Sequence, residues 1–307
     1  MYNGSNYMRE AINSALSQTY DNIEVIVVND GSTDDTETIA LSYGDRIRYY
    51  VKENGGVSSA LNMALREMKG EYVSWLSHDD VYHPEKIERQ MAYLSTLKDR
   101  DVILYSDFEY IDERSRRVGR ERFNHRMLER KPEYGLLRGF INGITLLIPR
   151  RAFDEYGYFD ESLKCVQDYA KWFEMMSTFH FVHMPEILAK SRSHGAQDTR
   201  NNPLVTLEGD VLWKTMMRTL PMDTKLRLEG DELTFYAEMT YYLRTTPYRK
   251  ATEYANSMAN AILSSRGVPA VDYTRKFRFP DRRQIYAKIR FAFYYPGKLL
   301  KKYLRFV

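Results

Sequence analysis

The sequence predicts an α/β fold, a mostly parallel sheet with helices on both faces, followed by a helical C-terminal extension. Three observations carry this: strand and helix periodicities alternate over the first half, the strand-like runs end in Asn, Asp or Gly, and only helical spacing persists after about residue 200. The first helix is marked by Met8, Ala11, Ile12, Ala15 and Leu16, spaced as one apolar stripe. Ile23 to Val28 reads as a strand, closed by the turn Asn29-Asp30-Gly31-Ser32-Thr33-Asp34-Asp35. A helix from about Asp34 to Ser42 carries acids in its first turn, as the macrodipole favours. Ile47 to Val51 reads as the next strand, and Asn54-Gly55-Gly56 opens a helix through Arg66. Tyr72 to Leu76 is an apolar strand run, Pro84 starts a helix with Ile87, Met91 and Leu94 on one face, and Val102 to Ser106 completes the alternation.

Beyond residue 107 the rhythm changes. Phe108 to Arg122 reads as a charged hairpin or loop, Gly143 to Ile148 as a strand ended by Pro149, and Tyr169 to Met176 as an amphipathic helix. Phe179 to His183 and Ile187 to Ser191 read as two short strands, and from about Asn202 helices are broken near Pro221, Pro247 and Pro269.

Composition narrows the class. The chain has 307 residues, 43% of them hydrophobic, and a net charge of +3, so it can fill a core and shows no global field suited to nucleic acid. A lone cysteine, Cys165, excludes an internal disulfide and a cysteine-based zinc site, which fits a reducing compartment. No apolar run approaches the ~20 residues needed to cross a bilayer, and the N-terminus shows no basic segment followed by an apolar one, so secretion is not expected.

Three strand-end loops are candidates for one site. In Asn29-Asp30-Gly31-Ser32, Asp30 offers a short acceptor for a base or ribose; the alternative is an ordinary Asx turn. In Asn54-Gly55-Gly56-Val57-Ser58, glycines allow close backbone approach and the following helix start favours phosphate, although Gly-Gly before a helix is common. In Ser77-His78-Asp79-Asp80, adjacent carboxylates leave a buried strand, hard ligands suited to Mg²⁺ or Mn²⁺ shared with a substrate phosphate; the alternative is turn and cap chemistry before His83-Pro84. No Gly-x-Gly-x-x-Gly follows a strand and no Gly-x4-Gly-Lys-Ser/Thr occurs, and a calcium loop fails because Asp35 stands where its glycine belongs.

Taken in order, these motifs resemble the inverting glycosyltransferases of family 2, which have the Rossmann-like GT-A fold. The resemblance runs from Tyr2-Asn3 to about Thr199. It rests on Asn29 to Thr36, Asn54 to Asn62, Gly70-Glu71-Tyr72-Val73 leading into the carboxylates, Gly143 to Arg150, Gly157 to Glu161, Gln167-Asp168 and Arg192-Ser193-His194. It implies a catalytic unit over 1–200, with a nucleotide-binding half to about 107 and an acceptor-side half from about 108, and a helical extension over 201–307. It also implies transfer of a sugar from a nucleotide-diphosphate donor to a glycan or lipid-linked acceptor hydroxyl, with Asp168 as general base. Asn3, Asp30, Gly31, Ser32, Asn54, Gly55, Gly56, Asn62, Ser77 and Asp79 would hold the donor, and Asp80, Asp79 and His194 the metal.

The departures are specific. Ser77 stands where the family's metal motif begins with Asp, and Gln167 replaces the Glu beside the base. The family's first apolar strand ends in a turn like Met1-Tyr2-Asn3-Gly4, so that strand is expected to be missing here, leaving unpaired sheet backbone. Read structurally, Asp168 is a helix cap and His194 a locally bonded strand-end histidine. A non-catalytic nucleotide-sugar module and a sugar-phosphate nucleotidyltransferase are the rival functions; the second lacks its Gly-rich loop with Arg. At the C-terminus, basic residues from Arg275 to Arg305 interleave with aromatic and aliphatic ones, which suits the anionic inner face of a plasma membrane; the alternative is a helix packed back on the protein. The expected location is cytoplasmic, peripheral to that membrane.

Overall fold

A computed structural model describes residues 1–99, 101–195 and 202–274. The basic, aromatic C-terminal segment singled out above lies outside them.

The first third of the chain alternates as its periodicity predicts. Helix α1, Met8–Leu16, buries Met8, Ala11 and Ile12. Strand β1, Ile26–Asp30, pairs in parallel with β2, Arg48–Lys52, and α2, Thr36–Leu41, joins them. Helix α3, Val57–Glu67, follows, with Gly56 at its N-cap in a positive-φ conformation that favours glycine. The edge of β1 away from β2 carries one rung from Met1, whose ammonium donates to Val28 O at 2.5 Å and whose carbonyl accepts from Asp30 N at 2.8 Å.

Strand β3 covers Tyr72–Val73, and β4 is Val81–Tyr82. The expected strand thus stops short of Leu76, freeing residues 74–80 to reach outward as a loop. After α4, Lys86–Thr96, comes β5, Val102–Ile111, almost wholly buried and twice as long as its apolar run suggests. Its partners are β8, His180–Arg192, in parallel, and β6, Arg117–Glu121, antiparallel. The hairpin reading of 108–122 therefore holds, whereas the two short strands expected over 179–191 form one strand whose register shifts opposite Ser106 and Asp107, beside Pro185. The strands pair as β1–β2, β3–β7 and β4–β8–β5–β6, with β7 at Ile148–Pro149, and the antiparallel β4–β8 and β3–β7 pairs make the strand pairing more mixed than strand-helix alternation implies. The strand expected over 143–148 is instead a 3₁₀ turn, Gly143–Thr145, and a bridge from Leu147 to Leu104.

The remaining elements are helical: α5 His125–Arg130, α6 Glu133–Leu137, α7 Arg150–Tyr156, α8 Gln167–Met175, α9 Leu204–Thr219, α10 Met222–Glu229, α11 Glu232–Leu243 and α12 Arg249–Ser265. One core runs from Ile103 and Leu137 through Trp172 to Trp213, Met217 and Phe235, and Trp213 Nε1 donates to Leu137 O at 2.9 Å. The C-terminal helices thus share their apolar interior with the helix that carries Asp168, each large buried side chain contributing about 1.5–3 kcal/mol. No described helix is long and apolar enough to cross a membrane.

Candidate functional site

The loop after β1 is fixed by its own side chains. Gly31 sits at φ +73°, and a Cβ there would lie 2.7 Å from the backbone N of Asn54, so both conformation and space call for glycine. Gly31→Ala is expected to cost on the order of 2 kcal/mol, read from urea unfolding; an unchanged midpoint would mean that the two loops do not touch in this way. Asp30, buried, accepts from Gly55 N at 3.0 Å and Gly56 N at 2.8 Å and pairs with Lys52 Nζ at 2.9 Å. Burial pushes its carboxyl up, but Lys52 and the two amides outweigh it and hold the group below the usual range. Asp30 is therefore the stitch between the first two loops. Lys52 and Gly55 share Oδ1, so Oδ2, bonded among the described residues to Gly56 alone, retains acceptor capacity.

The chain start closes on the same turn. Asn3 donates its N–H to Ser32 Oγ and accepts from Thr33 N, both at 2.9 Å. Asp34 accepts from Ser5 N and Thr36 N, contacts that outweigh its desolvation and lower it to about 2. Gly4 packs on the ring of His78, where a Cβ would meet it at 3.0 Å, linking this turn to the carboxylate loop.

In that loop the neighbouring carboxylates part company. Asp79 Oδ2 lies 3.0 Å from His194 Nε2, both residues buried, so a carboxylate and an imidazole converge from loops far apart in sequence. His194 is thus paired across the fold rather than bonded locally. Asp80 accepts from Arg192 N at 2.7 Å and from the Ser191 hydroxyl; burial and the Asp79 charge push its carboxyl up to about 8. Asp80 thus meets the β8 backbone, while Asp79 faces the His194 imidazole. Among the described residues no group of three or more His, Cys, Asp or Glu gathers as a cation cage. Ser77 is half-buried, its carbonyl accepting Asp80 N at 3.3 Å to shape the turn.

Asp168 stands apart from these loops and faces open space. It occupies the second position of α8, accepts from Tyr169 N at 2.8 Å, and is pushed by burial up to about 6. With Phe140, Tyr169 and Gly143 it lines a cavity of about 470 Å³. Gly143 is where the two halves meet, since a Cβ there would lie 2.8 Å from the Trp75 ring, on the segment running to Asp79. Beside Asp168, Gln167 is buried, and its Oε1 has no hydrogen-bond partner among the described residues.

Asn62 and Asn54 stand differently from the other donor-side residues. The Asn62 amide gives Nδ2 to Phe159 O and Glu161 Oε1 and takes Phe159 N on Oδ1, all at 2.9 Å, so its polar atoms tie α3 to the 157–161 turn rather than face a ligand. Asn54 is exposed and contributes its backbone beside Gly31. Sequence reading also passed over Lys86. Fully buried, its Nζ reaches Ser74 Oγ, Gln90 Oε1 and Leu146 O within 3.1 Å, bracing the carboxylate loop against the cavity wall. A lysine two residues after the helix-starting Pro84, on the face of Gln90 rather than of the exposed acids, was the available signal.

Comparison with known proteins adds the family. A model described as Glycosyl transferase family 2 matches residues 1–157, and a glycosyltransferase of Rickettsia typhi is 49% identical over 244 residues, 78% of this chain and 76% of that one. The chain belongs to glycosyltransferase family 2. It is therefore a transferase of that family, with the mixed α/β architecture described above. A Rickettsia bellii glycosyltransferase 44% identical to this family 2 member is longer, the chain spanning 40% of it. Among solved structures, Staphylococcus aureus TarS in complex with UDP-GlcNAc superposes with a TM-score of 0.61 at 18% identity, covering 86% of this chain and 83% of that one. A mannosyltransferase of Pyrobaculum calidifontis in complex with GDP-Man and Mn²⁺ gives 0.54 at 16% identity, covering 96% and 79%. At such identities the structures establish the shared GT-A fold of this family 2 protein.

Proposed function

We propose that this family 2 enzyme transfers a sugar, with inversion, from a nucleotide-diphosphate donor to an acceptor hydroxyl. The observation that carries the reading is Asp168, raised to about 6 on a cavity whose wall packs against the segment leading to Asp79. A carboxylate of that basicity, ionised at neutral pH, takes the proton of the attacking hydroxyl as its oxygen bonds to the anomeric carbon. The pair leaving that carbon goes to the diphosphate on the opposite face, and one displacement requires one base. Asp30 and the Gly55 and Gly56 backbone shape the donor pocket, and the structures similar to this one were solved with UDP, UDP-GlcNAc and GDP-Man.

The Asp79 carboxylate and His194 imidazole, 3.0 Å apart, would hold a Mn²⁺ or Mg²⁺ shared with the phosphates of the substrate. When bound there, such a cation supplies charge neutralisation to the leaving diphosphate. Asp80, held by Arg192 N and Ser191, stands beside that pair and would offer a further carboxylate to the same cation. With the full-length chain, release of nucleoside diphosphate from UDP-GlcNAc or GDP-mannose is expected to require Mn²⁺ or Mg²⁺ and to fall at least ~100-fold in Asp79→Asn. Saturable donor binding without any release would favour the non-catalytic module that Ser77 and Gln167 bring to mind.

A further inference from the structure

We infer that the acceptor is an uncharged sugar ring, and that Glu121 on the cavity beside Asp168 selects it against phosphorylated and carboxylated acceptors. The inference rests on the reading of Asp168 as the base, because that places the acceptor in this cavity. The opening, about 470 Å³, lies within the range of roughly 300–1,000 Å³ typical of small-ligand sites and has room for a short saccharide.

Two features of its lining set the chemistry. The first is aromatic. Phe123 and Phe140 stack with ring centroids 4.9 Å apart and planes 21° apart, and Tyr110 and Tyr169 add further faces, all half-buried. Such platforms accept the apolar C–H face of a pyranose and leave its hydroxyls free at the edge. The second is charge. Glu121 and Asp168 are the ionisable acids of the lining, and none of the lining residues is Lys, Arg or His. A phosphate or carboxylate entering here would lose water opposite two acids with no cation to meet it, whereas a hydroxyl would find acceptors.

Glu121 is placed for this and otherwise unexplained. At the last position of β6 it stands opposite Phe108, half-buried, its carboxylate making no hydrogen bond or ion pair to a described residue. Burial and the nearby Asp107 charge hold its carboxyl above the usual range, the mark of a group short of donors until a ligand supplies them. The basic side chains of the same hairpin, Arg117 and Arg120, lie 3.9 Å from Glu109 instead.

The test uses the full chain and saturation-transfer NMR with three probes: p-nitrophenyl hexopyranosides, p-nitrophenyl glucuronide and farnesyl phosphate. The neutral glycosides are expected to bind at least roughly tenfold more tightly than either anion, the effect of a like-charge contact at partial exposure. Glu121→Gln should narrow that gap, Glu121→Lys should reverse it, and Phe140→Ala should weaken the neutral glycosides about tenfold. Thermal unfolding of each variant checks its fold, with Phe140→Leu standing in where alanine fails to fold. Equal or tighter binding of glucuronide or farnesyl phosphate, no binding by any neutral glycoside, or a selectivity unmoved by Glu121→Gln would overturn the proposal. Donor binding is measured separately with UDP-GlcNAc and GDP-mannose: its absence would sink the donor reading, while acceptor selectivity would still judge Glu121.

Discussion

Asp168→Asn is expected to lower sugar transfer by about 10²–10⁴-fold, the usual worth of a positioned base, while donor affinity stays within about twofold. Asn keeps the acceptor oxygen that meets Tyr169 N, so the start of α8 survives and only proton capture is lost. The same carboxyl sets a pH dependence. With its pKa raised from 3.8 to about 6, the base becomes competent as pH rises through about 6, and turnover should fall about tenfold per pH unit below that point. Its effect on stability has the opposite sense. A carboxyl titrating higher when folded than when unfolded favours the folded state fully below about pH 4, and this is lost as pH rises through 6. At neutral pH the ionised Asp168 therefore costs on the order of 1–3 kcal/mol, and Asp168→Asn should be as stable as the native protein or more so. Turnover near native with normal donor binding would remove Asp168 from the chemistry. A loss of both activity and melting temperature at pH 7.5 would mean that Asp168 serves the fold.

Much of this site was legible in the sequence because its parts are local. A strand that ends in Asn29-Asp30-Gly31, glycines before α3 and adjacent acids after an apolar run each announce themselves within a few residues, and the fold class follows from their alternation. What stayed illegible is what long-range pairing decides. Asp79 and Asp80 are indistinguishable in the sequence, and only β8, which brings His194 to one and the Arg192 and Ser191 donors to the other, separates their roles. Asn62 sits inside a recognisable motif, yet its amide meets Phe159, 97 residues away. Gly143 to Ile148 is apolar enough for a strand, but the Asn142 side chain bonds Ile144 N and turns the chain first. The cavity beside Asp168 was the least visible part, because a hairpin that reads as charged contributes Glu121 to its lining while Arg117 and Arg120 lie near Glu109 instead.

Arg192→Met is expected to destabilise the protein by about 3 kcal/mol and to cost more in activity than any single donor-side residue except Asp79. Its guanidinium is fully buried, gives Nε to Asp79 O at 2.7 Å, Nη1 to Asp112 O at 2.9 Å and Ser115 Oγ at 3.0 Å, and pairs Nη2 with Glu10 at 2.6 Å. It also lies 4.3 Å over the ring of Tyr7, which in turn packs against His194. One planar cation thus fastens α1, the hairpin turn and the carboxylate loop, and methionine would strand the buried Asp79 carbonyl and leave the half-buried Asp112 carbonyl without its donor. The ion pair is the smaller part, since the Glu10 side chain is 42% exposed and can turn to water; Glu10→Gln should cost about 1 kcal/mol or less. Arg192→Lys should behave like methionine rather than arginine, because a single ammonium cannot serve three directions of a rigid fork. The backbone N–H of residue 192 still holds Asp80 in every variant, so a selective loss of cation-dependent donor turnover would trace to Asp79. Full rescue by lysine would show that charge alone mattered, and a melting temperature within a degree of native for methionine would show that Arg192 does not set the position of Asp79.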